Sequence, residues 1–433
     1  MYRLLHIKNG RNNDFKSRLL KLSDNFDIFS IYDSNNWPDD RYHQYDVLAA
    51  FGSEKEIRCT AGNAFESLRS FQRETKDWLF GYLAYDLKNE TEKLFSRNKD
   101  GIDAPDLFFF QPSVLIVQKG GELEVLLNEA HSKDSALAAL IQSVFESGPA
   151  ESNIKDCKAV HIANRMSKDE YLQAVDAIRR HIKRGDVYEL NYCQEFYAEQ
   201  AEIHPQSVFQ KLIKKSPTPF SAFCRINEIY VMSASPERYI RKEGDYIISQ
   251  PIKGTARRVA DVQRDKEVRT QLQNDIKERA ENIMIVDLVR NDLTHIARPN
   301  SVQVEELCGI YSFEQVHQMI STVSARLKSD ADFVDVLRHT FPMGSMTGAP
   351  KIRAMQLIEQ YEKSKRGIYS GAVGYITPDG DFDFSVVIRS LIYNQKNKYL
   401  SFIAGGAITY RSEPEKEYEE SLLKAEAIRQ ILE

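Results

Sequence analysis

The sequence lacks the marks of several large protein classes. Its five cysteines, Cys59, Cys157, Cys193, Cys224 and Cys308, are scattered and form no CxxC pair. An odd, unclustered set excludes a disulfide frame or a cysteine zinc site and reads as reduced thiols. Nine histidines show no HExxH or similar spacing. No apolar run approaches the roughly 18 residues that suggest a membrane span. The start, "MYRLLHIKNG", lacks the basic flank and long apolar core of a secretion signal. Basic residues are not in excess: 58 Lys and Arg stand against 63 Asp and Glu, a formal charge of -5. That balance gives neither nucleic acid nor an anionic membrane an electrostatic handle. There is no internal repeat and no low-complexity tract. A soluble, cytoplasmic globular protein is the expectation.

What is present can build a large core. The chain has 433 residues, 42% of them hydrophobic, and that length allows two or three domains. The clearest seam is "ESGPAESNIKDCK", residues 146–158, polar and aperiodic as a connection should be. It divides an N-terminal region, 1–150, from a segment of 160–433. After it, Ser167 with Glu170 reads as a capping box, apolar residues recur at helical spacing, and Gly185 stops the helix. The alternating "VYELNYCQEFY" follows as a strand. "GAVGYIT", "DFDFSVVIRSLIYN" and "KYLSFIAGGAITY", joined by the turns "PDG" and "NQKN", predict an antiparallel meander. Two long helices are predicted over 261–293 and 414–433. In the N-terminal region "DWLFGYLAYDL", "DLFFFQPSVLIVQ" and "ELEVLLN" read as strands. Mixed sheets with surface helices make the class α+β.

Several residues could carry chemistry. Glu278 and Glu281 lie three apart on a predicted helix and share a face, and Glu417 and Glu420 repeat that spacing on the last helix. Lys424 continues the second stripe. Such pairs ordinarily belong to solvated faces, but Glu281 runs directly into the apolar "NIMIVDL". Four carboxylates from two helices would suit a divalent cation that prefers oxygen. Arg389 sits in a predicted strand with apolar neighbours, where its fork would suit a carboxylate ligand or an internal ion pair. "GSMTGAPK" has the wrong spacing for a phosphate loop, and Pro350 removes a backbone donor before Lys351. His317 is a lone histidine among apolar residues, and such a residue is more often than not a satisfied core side chain. Lys253, in "SQPIKGTARR", reads equally as a surface lysine in a turn.

Together, "SASPERY", "PIKGTARR", "ERAENIMIVDLVRNDL", "FPMGSMTGAPKIRAMQLIE", "GIYSGAVGY" and "EKEYEESLLKA" resemble, in order, the motifs of the chorismate-utilising enzymes. The N-terminal region is similar only through "DWLFGYLAYDLKN". The resemblance implies a fold of two packed, largely antiparallel sheets with helices outside. It also implies that Glu281 and Glu420 bind Mg²⁺ directly, with Glu278 and Glu417 acting through its waters. Arg389 and Tyr369 would grip the enolpyruvyl carboxylate of chorismate. Gly254, Thr255, Gly405 and Gly406 would line the ring, and Ser345 would offer its hydroxyl. His317 would lie beside the departing 4-hydroxyl, and Lys424 would add positive charge.

Lys253 selects a branch of that family. Members that form anthranilate usually have alanine between "PI" and "GT". Members that aminate chorismate at C4 carry a lysine, proposed to attack C2 of the ring. The resemblance therefore implies that Lys253 is a nucleophile, its amine kept neutral by its pocket and nearby cations, with Glu237 as general acid. Glu189 departs from the pattern, because relatives that use ammonia usually carry Gln there and relatives that use water carry Lys. The sequence holds no glutaminase motif, so the resemblance implies ammonia supplied from solution or by a separate glutamine amidotransferase subunit. "RLLHIKN" does not match the tryptophan-inhibition motif common in the anthranilate-forming branch.

Overall fold

The computed structural model describes residues 2–5, 14–131, 133–146 and 160–432. All but the first residue of the predicted 146–158 connection, Cys157 included, lies outside them. Two antiparallel sheets pack face to face. The first, of twelve strands, runs from Tyr2–Leu4 through Ile28–Asp33, Phe220–Ile226 and Ser390–Asn394 to Tyr399–Ile408, Glu189–Ala198 and Gly348–Ala349. The second, of ten, runs from Ile252–Arg257 through Val316–Arg326, Arg238–Glu243, Phe382–Val386 and Ala372–Ile376 to Leu79–Leu83 and Lys55–Cys59. Residues before 130 thus lie in both sheets, beside Phe220–Ile226 in the first and Ala372–Ile376 in the second. The α+β reading and its two-sheet form hold.

Local sequence explains many of the elements. The helix Lys168–Arg184 starts at the capping box: Glu170 N donates to Ser167 Oγ, and Ser167 N donates to Glu170 Oε2. It stops at Gly185, whose φ of +86° costs a glycine little. In the strand Glu189–Ala198, Leu190 and Tyr192 pack with Tyr171, Val175 and Ile178 of that helix. Period-2 alternation then turns Glu189, Asn191 and Cys193 to the opposite face. Phe80 and Phe110, on the face of the second sheet where Phe80 stacks on Tyr32 of the first, fill the space between the sheets, each burying enough apolar area to contribute about 2 kcal/mol.

Two predicted elements are corrected. The single helix expected over 261–293 is two, Val262–Asn274 and Ile276–Thr294. Asp275 takes an extended conformation between them and accepts from Lys277 N and Glu278 N, so it caps the second helix and interrupts the first. The "DFDFSVVIRSLIYN" run is not one strand of a meander. Phe382–Val386 forms a hairpin with Ala372–Ile376 in the second sheet, and Ser390–Asn394 forms one with Tyr399–Ile408 in the first. The chain crosses between sheets at 387–389, where Arg389 takes a φ of +51°. The continuous apolar run that resembles a strand is a crossing through the core. Among the described residues no helix is long and apolar enough to span a membrane.

Candidate active site

The site forms where the edges of the two sheets meet, beneath the helices Ile276–Thr294 and Pro414–Leu432. Lys253 stands on the edge strand Ile252–Arg257, where a register shift and a φ of +97° at Gly254 bend the backbone. A Cβ at Gly254 would also lie 3.2–3.3 Å from atoms of Met319 and Glu278, so glycine lets the Ile276–Thr294 helix lie close. Asn282 fastens that helix by donating to the carbonyls of Lys253 and Met319, at 3.3 and 3.2 Å. Lys253 Nζ lies 3.7 Å from Glu189 Oε1, the lysine side chain 11% exposed and the glutamate 1%. The sequence led us to expect cations beside Lys253. The structure corrects this: Glu189, Glu237, Glu278, Glu281 and Glu420 all act on it electrostatically or by contact.

Glu237 is buried, and its Oε1 accepts from Ser345 Oγ at 2.5 Å. Burial pushes its carboxyl up to about 7, against the opposing pull of that hydrogen bond and of Lys253 and Arg389. A carboxylic acid with that value can donate a proton near neutrality. Arg389 leaves the crossing at 387–389, and its guanidinium makes no hydrogen bond or ion pair among the described residues. Burial lowers it to about 10, with Glu237 opposing. A partly buried guanidinium without a partner is a ready receptor for an anion. Tyr369 is buried, its hydroxyl 3.8 Å from Cys193 Sγ. Gly405 pairs with Cys193, and a Cβ there would stand 2.0 Å from Tyr192 O, so that wall is necessarily bare backbone.

Glu278 and Glu281 on one helix face Glu417 and Glu420 on the other. The ammonium of Lys277 lies 3.7 Å from Glu278 Oε1 and 3.6 Å from Glu281 Oε1. Against burial, Glu281, Glu278, Glu417 and Glu420 hold that ammonium above the usual lysine range. Burial pushes Glu281 up to about 7 despite Lys277 and Lys253, and its Oε1 is buried without a hydrogen-bond donor. Among the described residues, no three His, Cys, Asp or Glu side chains converge into a closed metal cage. The donor chemistry and the orphaned oxygen nonetheless fit an oxygen-seeking divalent ion, with Lys277 standing among the carboxylates. Lys424 bonds Glu420 Oε1 at 2.7 Å and donates to Gly405 O at 2.8 Å. A Cβ at Gly406 would lie 3.4–3.7 Å from Glu420, Glu417 and Lys424, which ties this strand to the glutamate helices.

His317 is buried and held by its neighbours. It pairs across the strands with Ala256, and both ring nitrogens are engaged, one with Ser312 Oγ at 2.8 Å and one with Asp265 Oδ1 at 3.2 Å. Thr255 pairs with Gln318 beside it. Sequence reasoning missed the supports of the site. Arg366 and Glu362 form a buried pair at 2.6 Å. Arg366 also donates to Asn191 O and Met346 O, and Glu362 accepts from Cys193 N, which locks the Glu189 strand to the 344–346 turn. Their i, i+4 spacing was the available signal. A separate cavity of about 70 Å³, lined by Tyr32, Arg238, Tyr375 and Asp383 among others, shares none of these site residues.

Known proteins give the same reading. The chain is 38% identical over 356 residues to aminodeoxychorismate synthase component 1 of Klebsiella aerogenes, covering 82% of this chain and 76% of that protein. It is 32% identical over 368 residues to anthranilate synthase component 1 of Aquifex aeolicus, covering 82% and 74%. The crystal structure of anthranilate synthase component I from Streptococcus pneumoniae superposes with a TM-score of 0.78 at 26% identity, over 93% of this chain and 92% of the other. The family model described as chorismate binding enzyme matches residues 29–430, and with the sheets, the site and these relatives in agreement, the chain belongs to that family.

Proposed function

We propose that this chain exchanges the 4-hydroxyl of chorismate for an amino group from ammonia, giving 4-amino-4-deoxychorismate. The observation that carries the reading is Lys253, an amine held at the site beside Glu189 and within the field of a raised Glu237. An enzyme forming anthranilate needs no nucleophile there. The similarity to an aminodeoxychorismate synthase component 1 supports the same branch.

Arg389 and Tyr369 take the enolpyruvyl carboxylate, and Gly254, Thr255, Gly405 and Gly406 leave room for the ring. Glu281 and Glu420, with Glu278 and Glu417 through waters, would hold Mg²⁺, which when bound supplies positive charge for the ring carboxylate. Lys253, having lost its ammonium proton to solvent, attacks C2 while both ring double bonds shift by one position and the C4–O bond breaks. Glu237 gives its proton to the departing oxygen, which leaves as water. Ammonia then bonds to C4, both double bonds return, and the C2–N bond breaks with its electron pair going back to Lys253. With both ring nitrogens of His317 occupied, the acid step falls to Glu237, and His317 braces the strand beside Thr255. Ammonia comes from a separate glutamine amidotransferase subunit, and the product serves p-aminobenzoate and folate synthesis in the cytoplasm.

The test is a product assay on the purified chain with chorismate, Mg²⁺ and an ammonium salt at alkaline pH, with aminodeoxychorismate lyase in a parallel tube. Lyase-dependent p-aminobenzoate supports the proposal. Anthranilate formed without the lyase overturns it in favour of the activity named for the Aquifex relative.

A further inference from the structure

Glu189 has a feature that the chemistry above does not use. Its side chain is 1% exposed, Oε1 faces Lys253, and Oε2 is buried with no hydrogen-bond donor among the described residues. An unpaired carboxylate oxygen costs about 1–3 kcal/mol or more when buried, so a purely structural glutamate would be expected to have both oxygens satisfied. The backbone around it is rigid: Glu189 pairs with Ala349 on one side, and Tyr188 N donates to Ala349 O at 2.7 Å. Among the described residues, Lys253 from the edge strand and Glu281 from the Ile276–Thr294 helix are the two charged groups that face it. The strand Gly348–Ala349 brings only backbone and small side chains, and Lys351 beyond it is committed to Asp292 at 2.6 Å. Of the two facing groups, the cation is already paired with Oε1 and the other is an anion. The free oxygen therefore calls for a small cationic donor of N–H bonds.

We infer that Glu189 Oε2 is the binding site of an ammonium ion and the acceptor of its proton. This rests on the amination proposed above. Ammonium binds as the cation, one N–H bond breaks, and the proton passes to Glu189 Oε2. The freed lone pair forms the bond to C4, while the C2–N bond of the lysine adduct breaks and returns its pair to Lys253. The positive charge of the adduct thus ends on the new amine, and Glu189 holds one proton to be lost to solvent as the product leaves. A neutral glutamine at this position could accept a hydrogen bond but could neither attract the cation nor take its proton, so Glu189 would let the chain draw on ammonium at neutral pH.

The experiment measures kcat/KM for total ammonium from pH 6.5 to 9 in the wild-type chain and in Glu189→Gln, with chorismate and Mg²⁺ saturating. The ratio of the Glu189→Gln value to the wild-type value should rise about tenfold per pH unit, because the variant follows the free base and the wild type the protonated species, while deprotonation of Glu237 above pH 7 lowers both alike. At pH 7 the variant's KM for ammonium should rise on the order of 10- to 100-fold, while its KM for chorismate stays within about twofold of wild type. Profiles that run parallel in wild type and variant overturn the inference. An unchanged ammonium KM in the variant, or an equal loss for chorismate, also overturns it and leaves Glu189 as a support for Lys253. A wild-type chain that does not aminate chorismate at any pH refutes the amination reading itself, and the inference with it.

Discussion

Replacing Glu237 by glutamine should make the protein more stable and nearly inactive, and the sizes of both effects follow from its surroundings. The wild-type carboxyl titrates at about 7 in the folded chain against an ordinary 4.5. The folded state therefore binds more protons than the unfolded state between those values, so stability falls as pH rises through that window. At 1.36 kcal/mol per unit, the burial of this carboxylate costs about 3 kcal/mol once pH exceeds 7. Glutamine carries no charge and keeps an oxygen for the Ser345 hydroxyl. Glu237→Gln should match wild type in thermal or denaturant unfolding near pH 4.5 and exceed it by up to about 3 kcal/mol at pH 8. Turnover should drop by roughly 10²- to 10⁴-fold with the loss of the proton donor. Wild-type turnover should itself decline above pH 7 as the acid is deprotonated. A variant no more stable than wild type at pH 8 would refute the assignment of a raised, buried acid.

Lys253→Ala should lower aminodeoxychorismate formation on the order of 10³-fold or more, and chromatography with mass detection should show whether anthranilate takes its place; undiminished native product rules out an essential nucleophile. Glu281→Gln should weaken Mg²⁺ binding in a calorimetric titration, since it removes the buried orphaned oxygen. Lys277→Gln should tighten Mg²⁺ binding about two- to fivefold by removing a half-exposed competing ammonium, and equal affinity would show that Lys277 stands outside the cation's space. Glu362→Gln should cost about 3–5 kcal/mol in unfolding experiments, because it leaves Arg366 buried without its counter-charge.

What could be read from the sequence was local or motif-borne. Ser167, Glu170 and Gly185 fix a helix through hydrogen bonds to their own neighbours, so their signal is complete within twenty residues. Lys253, Glu237 and the glutamate pairs stood out because their motifs are distinctive, and the structure gathers them around the meeting edges of two sheets. All but one of the failures involve partners remote in sequence. The run through Arg389 has the composition of a strand, and nothing in it says that Val386 belongs to one sheet and Ser390 to the other. Asp275 looks like one polar residue within a helix until its side chain is seen capping the next turn. The charge around Lys253 was misjudged because Glu189, Glu281 and Glu420 approach it from separate segments. His317 was ambiguous for the same reason: Asp265, which holds its ring, is 52 residues away.

The interleaving of the sheets also governs how the chain is made. Leu83 at the end of the strand Leu79–Leu83 pairs with Ala372, about 290 residues later. Its other neighbour, Leu107–Gln111, follows at once, but at a synthesis rate of roughly 5–20 residues per second that strand waits roughly 15–60 s on the ribosome before its second neighbour exists. Meanwhile Leu79, Phe80 and Leu83, all fully buried in the finished protein, are available to any other unpaired edge. A chain that stops short of Ala372 therefore leaves that edge of Leu79–Leu83 unpaired instead of leaving a smaller, fully paired unit.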